Sequence, residues 1–387
     1  MRLDFLRRIE PVYRMLVPVR AAAGRLWMRA AHRLRGVKPR TVFFSSFHGR
    51  TYSDSPRAIC EALHALRPDL DIVWQLSEPP EDLPGWIRVV RPHTVRALSE
   101  ISTARCIVDN FNRPVYMLKF DGQMYVQTWH GDRGFKKSLL DLNDGVDYPD
   151  GRQMDLAVSG SDFGTRVFRS AFGYEGEVLE AGMPRNDLLL NPDPDRAART
   201  RAALGVPDGA RVLLYAPTFR DATAGRKQPA GFDLARALAA LARGSGDTWV
   251  CLARAHDLNA GIGGAGIPGV TDATAWPEMN RLLEIADVLV TDYSSSAGDF
   301  ILTGRPVILY QPDRAAFIAD ERRMYFDLEA CPHLKAEGEE ELMDMLSRLD
   351  RLPDVSGKVA AFYGVKETGA AAQAAAQWIS RRIPRTR

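Results

Sequence analysis

Two histidines stand at the ends of apolar runs. His130 follows Met124-Tyr125-Val126-Gln127-Thr128-Trp129, and His256 lies just beyond Trp249-Val250-Cys251-Leu252. Imidazole is the side chain best suited to take a proton near neutral pH. A third stretch, Val288-Leu289-Val290-Thr291-Asp292-Tyr293-Ser294-Ser295-Ser296, carries three adjacent hydroxyls. Val288 to Val290 reads as a buried strand, and Ala297 to Gly304 as a helix ended by glycine. Such a turn aims unpaired N–H groups and the positive end of a helix dipole at one point. That geometry suits a phosphate, with Ser294, Ser295 and Ser296 as further donors. A serine helix cap with nothing bound has the same sequence. Arg185, Arg220 and Arg305 could grip phosphate oxygens in bidentate fashion, and each is also compatible with an ordinary ion pair. Thr218, in the loop Pro217-Thr218-Phe219-Arg220, belongs with the binding candidates. Asp292 and Asp299 could hold a cation, but no acidic metal cluster is evident. No metal site and no cofactor are therefore expected, and a divalent-ion requirement stays open. The chain has no Walker loop, HExxH, GxSxG or GxGxxG, which weakens NTPase, zincin, hydrolase and dinucleotide-dehydrogenase readings.

The elements that would position these residues alternate between strand and helix. Val42-Phe43-Phe44, Asp71 to Trp74, Ile87 to Val90, Cys106 to Val108, Met124 to Thr128, Leu156 to Val158 and Glu177 to Leu179 read as strands. Ser55 to Leu66 and His93 to Ile101 read as helices between them. This alternation predicts a parallel, doubly wound sheet. The stretch from Asn191 to Gly209, with Pro192, Pro194 and Pro207, reads as a boundary. Val212 to Ala216, Trp249 to Leu252, Val288 to Val290 and Pro306 to Tyr310 then predict a second sheet, with helices near 337–349 and 368–383. The expected domains are residues 41–195 and 196–387, the last helix packing back on the first domain. In open parallel sheets ligands bind beyond the carboxyl ends of strands, so two facing domains would bring both histidines to one cleft.

A chain of 387 residues, 45% hydrophobic and 26% charged, is that of a globular protein too long for one core. Its net charge of +2 hides an asymmetry: residues 1–40 carry +9 and the remainder −7. Phe5, Ile9, Val12, Leu16, Val19, Ala23, Leu26, Ala30 and Leu34 recur every three or four residues, which predicts an amphipathic helical arm. Arg25, Arg29 and Arg33 line another face, and Pro11 and Pro18 should kink or split the helix. The arm fits peripheral attachment to an anionic membrane, or packing on protein. The apolar stripe would be wasted on nucleic acid. No apolar run is long enough to span a bilayer, and no signal-peptide core is evident. Cys60, Cys106, Cys251 and Cys331 are far apart and read as reduced core residues, which suits a cytoplasmic protein.

The residues carry a resemblance. Gly49-Arg50-Thr51-Tyr52-Ser53-Asp54-Ser55-Pro56-Arg57-Ala58, Gln127-Thr128-Trp129-His130-Gly131, Gly182-Met183-Pro184-Arg185-Asn186-Asp187, Leu214-Tyr215-Ala216-Pro217-Thr218-Phe219-Arg220, Arg254-Ala255-His256, Val290-Thr291-Asp292-Tyr293-Ser294-Ser295 with Asp299, and Arg305-Pro306-Val307-Ile308-Leu309-Tyr310 occur in that order. They resemble the CDP-glycerol glycerophosphotransferases, the teichoic-acid primase and polymerase family, over roughly residues 41–330. The resemblance implies a GT-B fold, two Rossmann-like domains facing a cleft. It implies transfer of glycerol phosphate from a CDP-polyol donor to a hydroxyl of a lipid-linked polyprenyl or glycolipid acceptor, with release of CMP, at the inner face of the cell membrane. His130 would match the general base, His256 the second histidine near the donor phosphates, and Ser294 to Ser296 the pyrophosphate turn.

Departures fall beside both histidines. The family's Trp-His-Gly-Thr-Pro-Leu-Lys is here Trp129-His130-Gly131-Asp132-Arg133-Gly134-Phe135-Lys136, and its His-Pro is His256-Asp257. These bear on the acceptor and the polyol more than on the reaction class. A CDP-ribitol ribitolphosphotransferase, a nucleotide-sugar glycosyltransferase and a catalytically inert assembly factor are the alternatives. Oligomeric state is left open, a homo-oligomer included.

Overall fold

The structure is a computed structural model that describes residues 10–114, 116–143, 145–218, 231–254, 266–320 and 323–385. The first sheet has seven strands: β1 (Lys38–Ser45), β2 (Asp71–Gln75), β3 (Ile87–Val90), β4 (Ala104–Asp109), β5 (Met124–Gln127), β6 (Leu156–Ser159) and β7 (Glu177–Glu180). All pair in parallel in the order β3-β2-β1-β4-β5-β6-β7. The second has β8 (Arg211–Tyr215), β9 (Trp249–Ala253), β10 (Val270–Asp272), β11 (Val288–Thr291), β12 (Val307–Tyr310) and β13 (Leu334–Ala336). Its order, again all parallel, is β10-β9-β8-β11-β12-β13. The central strands are apolar because helices cover both faces, as in Leu213 and Leu289, fully buried like their neighbours. Strand order reverses between β1 and β4 in one sheet and between β8 and β11 in the other. A crevice opens at each such switch point, where the loops after neighbouring strands part in opposite directions.

Helix α1 (Glu10–Arg35) is one continuous element with Pro18 inside it, not two pieces. It belongs to the first domain and runs into β1 at Lys38. Met28 and Ala31 are buried, the Trp27 indole N–H donates to Ser99 Oγ (2.9 Å), and His32 stacks on Phe120. Its partner is α3 (Val95–Thr103), begun by Thr94, whose hydroxyl accepts the Ala97 N–H. The predicted apolar stripe is not the buried row: Val19, Ala23, Leu26, Ala30 and Leu34 all face solvent. The helix Ala371–Arg382 crosses back and packs on α2 (Asp54–Leu66), burying Ala375, Ala376 and Ile379. Arg67, just past α2, holds its end by donating to the Ile383 and Pro384 carbonyls (3.2 and 3.0 Å). The four cysteines are buried and free.

Candidate active site

The loops at the two switch points face each other. Between them lies a cavity of about 230 Å³ whose walls include Phe47, Asp54, His130 and Arg185 from the first domain, and Pro217 and Ser294 to Ser296 from the second. A larger cavity of about 420 Å³ adjoins it, sharing Phe47, Asp54, Arg185 and Asn280.

His130 leaves β5 through Trp129, which has a left-handed backbone (φ 54°) and donates its N–H to the Gln127 side-chain carbonyl (2.8 Å). The imidazole stacks on Phe111 (4.9 Å, 3° between planes), with Phe47 edge-on. Its Nδ1 is 2.8 Å from the Asn110 carbonyl oxygen. Asn110 is itself fixed: its side-chain oxygen accepts the Phe47 N–H (2.8 Å), and the Asn110 and Phe111 N–H groups donate to Asp109 Oδ1 (2.8 and 3.1 Å). Burial pushes His130 below its ordinary pKa; the Asn110 carbonyl and Asp54 oppose that shift and Arg185 adds to it. His48, across the Phe111 ring, is pushed down to about 4 by burial and by Arg50, His93 and His130. Both shifts favour the neutral ring, the form in which His130 can accept a proton.

On the opposite wall the serine turn leads into a short helix, Ser296–Phe300, continued by a 3-10 turn, Ile301–Thr303, and stopped by Gly304 (φ 69°). Ser295 stands at the cap position, yet its side chain makes no capping hydrogen bond. Ser296 Oγ donates to Ser294 Oγ (2.9 Å). A Cβ placed on Gly131 would lie 4.0 Å from Ser295 Oγ, so the residue after the histidine faces the serine turn directly. Asp292 Oδ1 accepts the Thr218 N–H (2.7 Å), the Thr218 hydroxyl and the Tyr293 N–H (2.6 Å), joining the loops after β8 and β11. Thr218 and Asp292 thus hold the turn in shape.

Asp299 is a junction between the domains. Its carboxylate takes Arg133 Nη2 at 2.6 Å, Arg185 Nη2 at 3.0 Å and Asn186 Nδ2 at 3.0 Å. Burial would raise its pKa, but the two guanidinium groups hold it below the ordinary carboxylate value. Arg185 also reaches Asp54 at 3.5 Å. Asp299 and Arg185 line the cavity while being committed to each other. Arg305 lies outside the cavity: it donates to the carbonyls of Leu283 (3.2 Å), Glu284 (3.0 Å) and Ala286, closing the end of the helix Met279–Ile285. The expectation that it grips phosphate is corrected by that commitment. His256 and Arg220 lie outside the described residues. Asn110, Asp54 and Arg133 complete the site without having been singled out by type or spacing. Asn110 could have been found as the residue that follows a strand at the switch point.

Two doubly wound, all-parallel domains facing each other across a cleft define the GT-B fold. Within it, residues 26–365 match the family model described as CDP-glycerol:poly(glycerophosphate) glycerophosphotransferase, and the chain belongs to that family. It is 31% identical over 350 residues to a teichoic acid poly(glycerol phosphate) polymerase of Staphylococcus epidermidis, covering 84% of this chain and 48% of that one. The chain thus spans about half the length of that relative. A teichoic acid glycerol-phosphate transferase of Staphylococcus aureus is 30% identical over 333 residues, 80% of this chain and 84% of that one. A solved structure of the wall teichoic acid polymerase TagF superposes with a TM-score of 0.81 at 28% identity, over 99% of this chain and 98% of that one. A histidine-to-asparagine variant of TagF soaked with CDPG gives a TM-score of 0.80.

Proposed function

We propose that this chain transfers glycerol phosphate from CDP-glycerol to a hydroxyl of a lipid-linked acceptor in the synthesis of a teichoic-acid-like polymer. The observation that carries the reading is the cavity that sets His130 opposite Ser294 to Ser296, with Gly131 facing Ser295 Oγ. The acceptor hydroxyl oxygen attacks the phosphorus that bears glycerol. A new P–O bond forms, the P–O bond to CMP breaks, and the hydroxyl proton passes to His130 Nε2. Serine hydroxyls and N–H groups meet the phosphate charge, which is where most of the catalysis of phosphoryl transfer resides. The family resemblance gives His256 the leaving-group side, so His256→Ala should lower turnover and weaken donor binding together.

The protein works, in this reading, on the cytoplasmic face of a membrane, held by the outward stripe of α1. Among the described residues no helix is long and apolar enough to cross a membrane. The direct test is CMP release from CDP-glycerol, with CDP-ribitol and a UDP-sugar as parallel donors, each with and without a lipid-linked glycerol-phosphate acceptor. Acceptor-dependent CMP release from CDP-glycerol supports the proposal. Release only from CDP-ribitol reassigns the polyol, and release only from the UDP-sugar overturns the reaction class.

A further inference from the structure

The loop that carries His130 and the helix that carries the serines are joined by a contact no phosphate or proton transfer requires. Arg133 stands three residues after His130, is fully buried, and reaches Asp299, three residues after Ser296 (Nη2 to Oδ1, 2.6 Å). The same nitrogen donates to Glu367 Oε1 (2.9 Å), and Nη1 donates to the Gly160 carbonyl (3.3 Å). Asp132, beside it, takes the Ser159 and Ser161 hydroxyls at 3.0 and 2.7 Å and fixes the loop to the first domain. The stem of Arg133 lies flat on the serine helix: a Cβ built on Gly298 would sit 2.7 Å from Arg133 Cβ. Glycine at 298 is what allows that approach. The base loop and the serine turn therefore meet at three points, Gly131 with Ser295, Arg133 with Gly298 and Arg133 with Asp299.

We propose that Arg133 is a positioning residue that sets the spacing between His130 and the phosphate-holding turn. It lines neither cavity. This rests on the reading of His130 as the base. An ångström of misplacement between reacting groups can cost about a hundredfold in rate. A buried guanidinium held by two carboxylates and a carbonyl is stiff enough to prevent it.

The test compares Arg133→Met, Arg133→Lys, Gly298→Ala and His130→Ala, with thermal unfolding checked first. Gly298→Ala keeps every charge, and because Arg133 Cβ is fixed to its backbone the added methyl forces the His130 loop and the serine helix apart, so it serves where Arg133→Met fails to fold. Arg133→Met and Gly298→Ala should lower kcat by about 10- to 100-fold. The KM for CDP-glycerol should stay within about threefold, and the acid limb of kcat/KM should not move. Arg133→Lys should recover part of the loss. Near-parent kcat in folded Gly298→Ala, or a loss confined to the donor KM, overturns the proposal. If His130→Ala is as active as the parent, the base assignment has failed instead, whatever Arg133 does.

Discussion

His130 Nδ1 lies 2.8 Å from the carbonyl oxygen of Asn110. A carbonyl only accepts, so the neutral ring keeps its proton on Nδ1 and its lone pair on Nε2. Asn110 is locked by Asp109 and Phe47, and the ring plane is locked by Phe111. The geometry thus chooses the tautomer a general base needs. His130→Ala should cut turnover by about 10²–10⁴-fold, the usual loss for a general base. CDP-glycerol affinity, measured by calorimetry, should be nearly unchanged.

The acidity of that ring gives a second expectation. Burial lowers the His130 pKa. Protonation removes the base, so activity should persist to a lower pH than an exposed histidine allows. The acid limb of kcat/KM should fall below about 6.5. A limb at or above that value, in an enzyme with no slow step masking chemistry, would show that another group titrates.

Ser294 and Ser295 are half-buried on the cavity wall, and Ser295 makes no cap bond. Ser294→Ala with Ser295→Ala should weaken CDP-glycerol binding, each lost bond to a charged phosphate being worth roughly 1.5–3 kcal/mol. Parent affinity in the double variant would leave the serines as parts of the turn only.

Asp299 bonds two buried arginines. Asp299→Ala leaves Arg133 with Glu367 alone of its hydrogen-bonded carboxylates and Arg185 with only the longer contact to Asp54, and should cost up to about 3–5 kcal/mol of stability at pH 7. Since its folded pKa is lowered, the contribution of this carboxylate is complete above the unfolded value of about 3.9 and is lost as pH falls through the folded one. Urea unfolding at pH 7 and pH 3 should show parent and variant converging in acid.

Most of the sheet framework is legible in the sequence because central strands of a parallel sheet are continuous apolar runs, as in Val42 to Phe44 and Val288 to Val290. β10 and β13 are not: Val270-Thr271-Asp272 and Leu334-Lys335-Ala336 are three-residue edge strands with polar members. The positions of His130 and of Ser294 to Ser296 follow from strand ends. The interdomain charge network does not, since Arg133, Arg185, Asp299 and Glu367 are scattered along the chain and only the fold brings them together. Arg305 shows the converse: an arginine beside a strand is equally suited to capping a helix end.

The outward face of α1 carries the last prediction. Val19, Leu26 and Leu34 are exposed at 62%, 65% and 84%, while Met28 and Ala31 on the next row are buried against the domain. An apolar row left facing solvent, flanked by exposed Arg20, Arg25, Arg29 and Arg33, fits the surface of an anionic bilayer. Each basic residue there adds on the order of 1 kcal/mol, falling with salt. Removing residues 1–37 would also uncover α3, so point substitutions on the exposed row are the cleaner probe. Leu26→Asp with Leu34→Asp should leave the thermal unfolding temperature and CMP release in detergent near the parent's. It should abolish sedimentation with vesicles containing phosphatidylglycerol. If the double variant still sediments with those vesicles, and the parent is a dimer that the substitutions split, the stripe joins two copies of the chain and another surface meets the membrane.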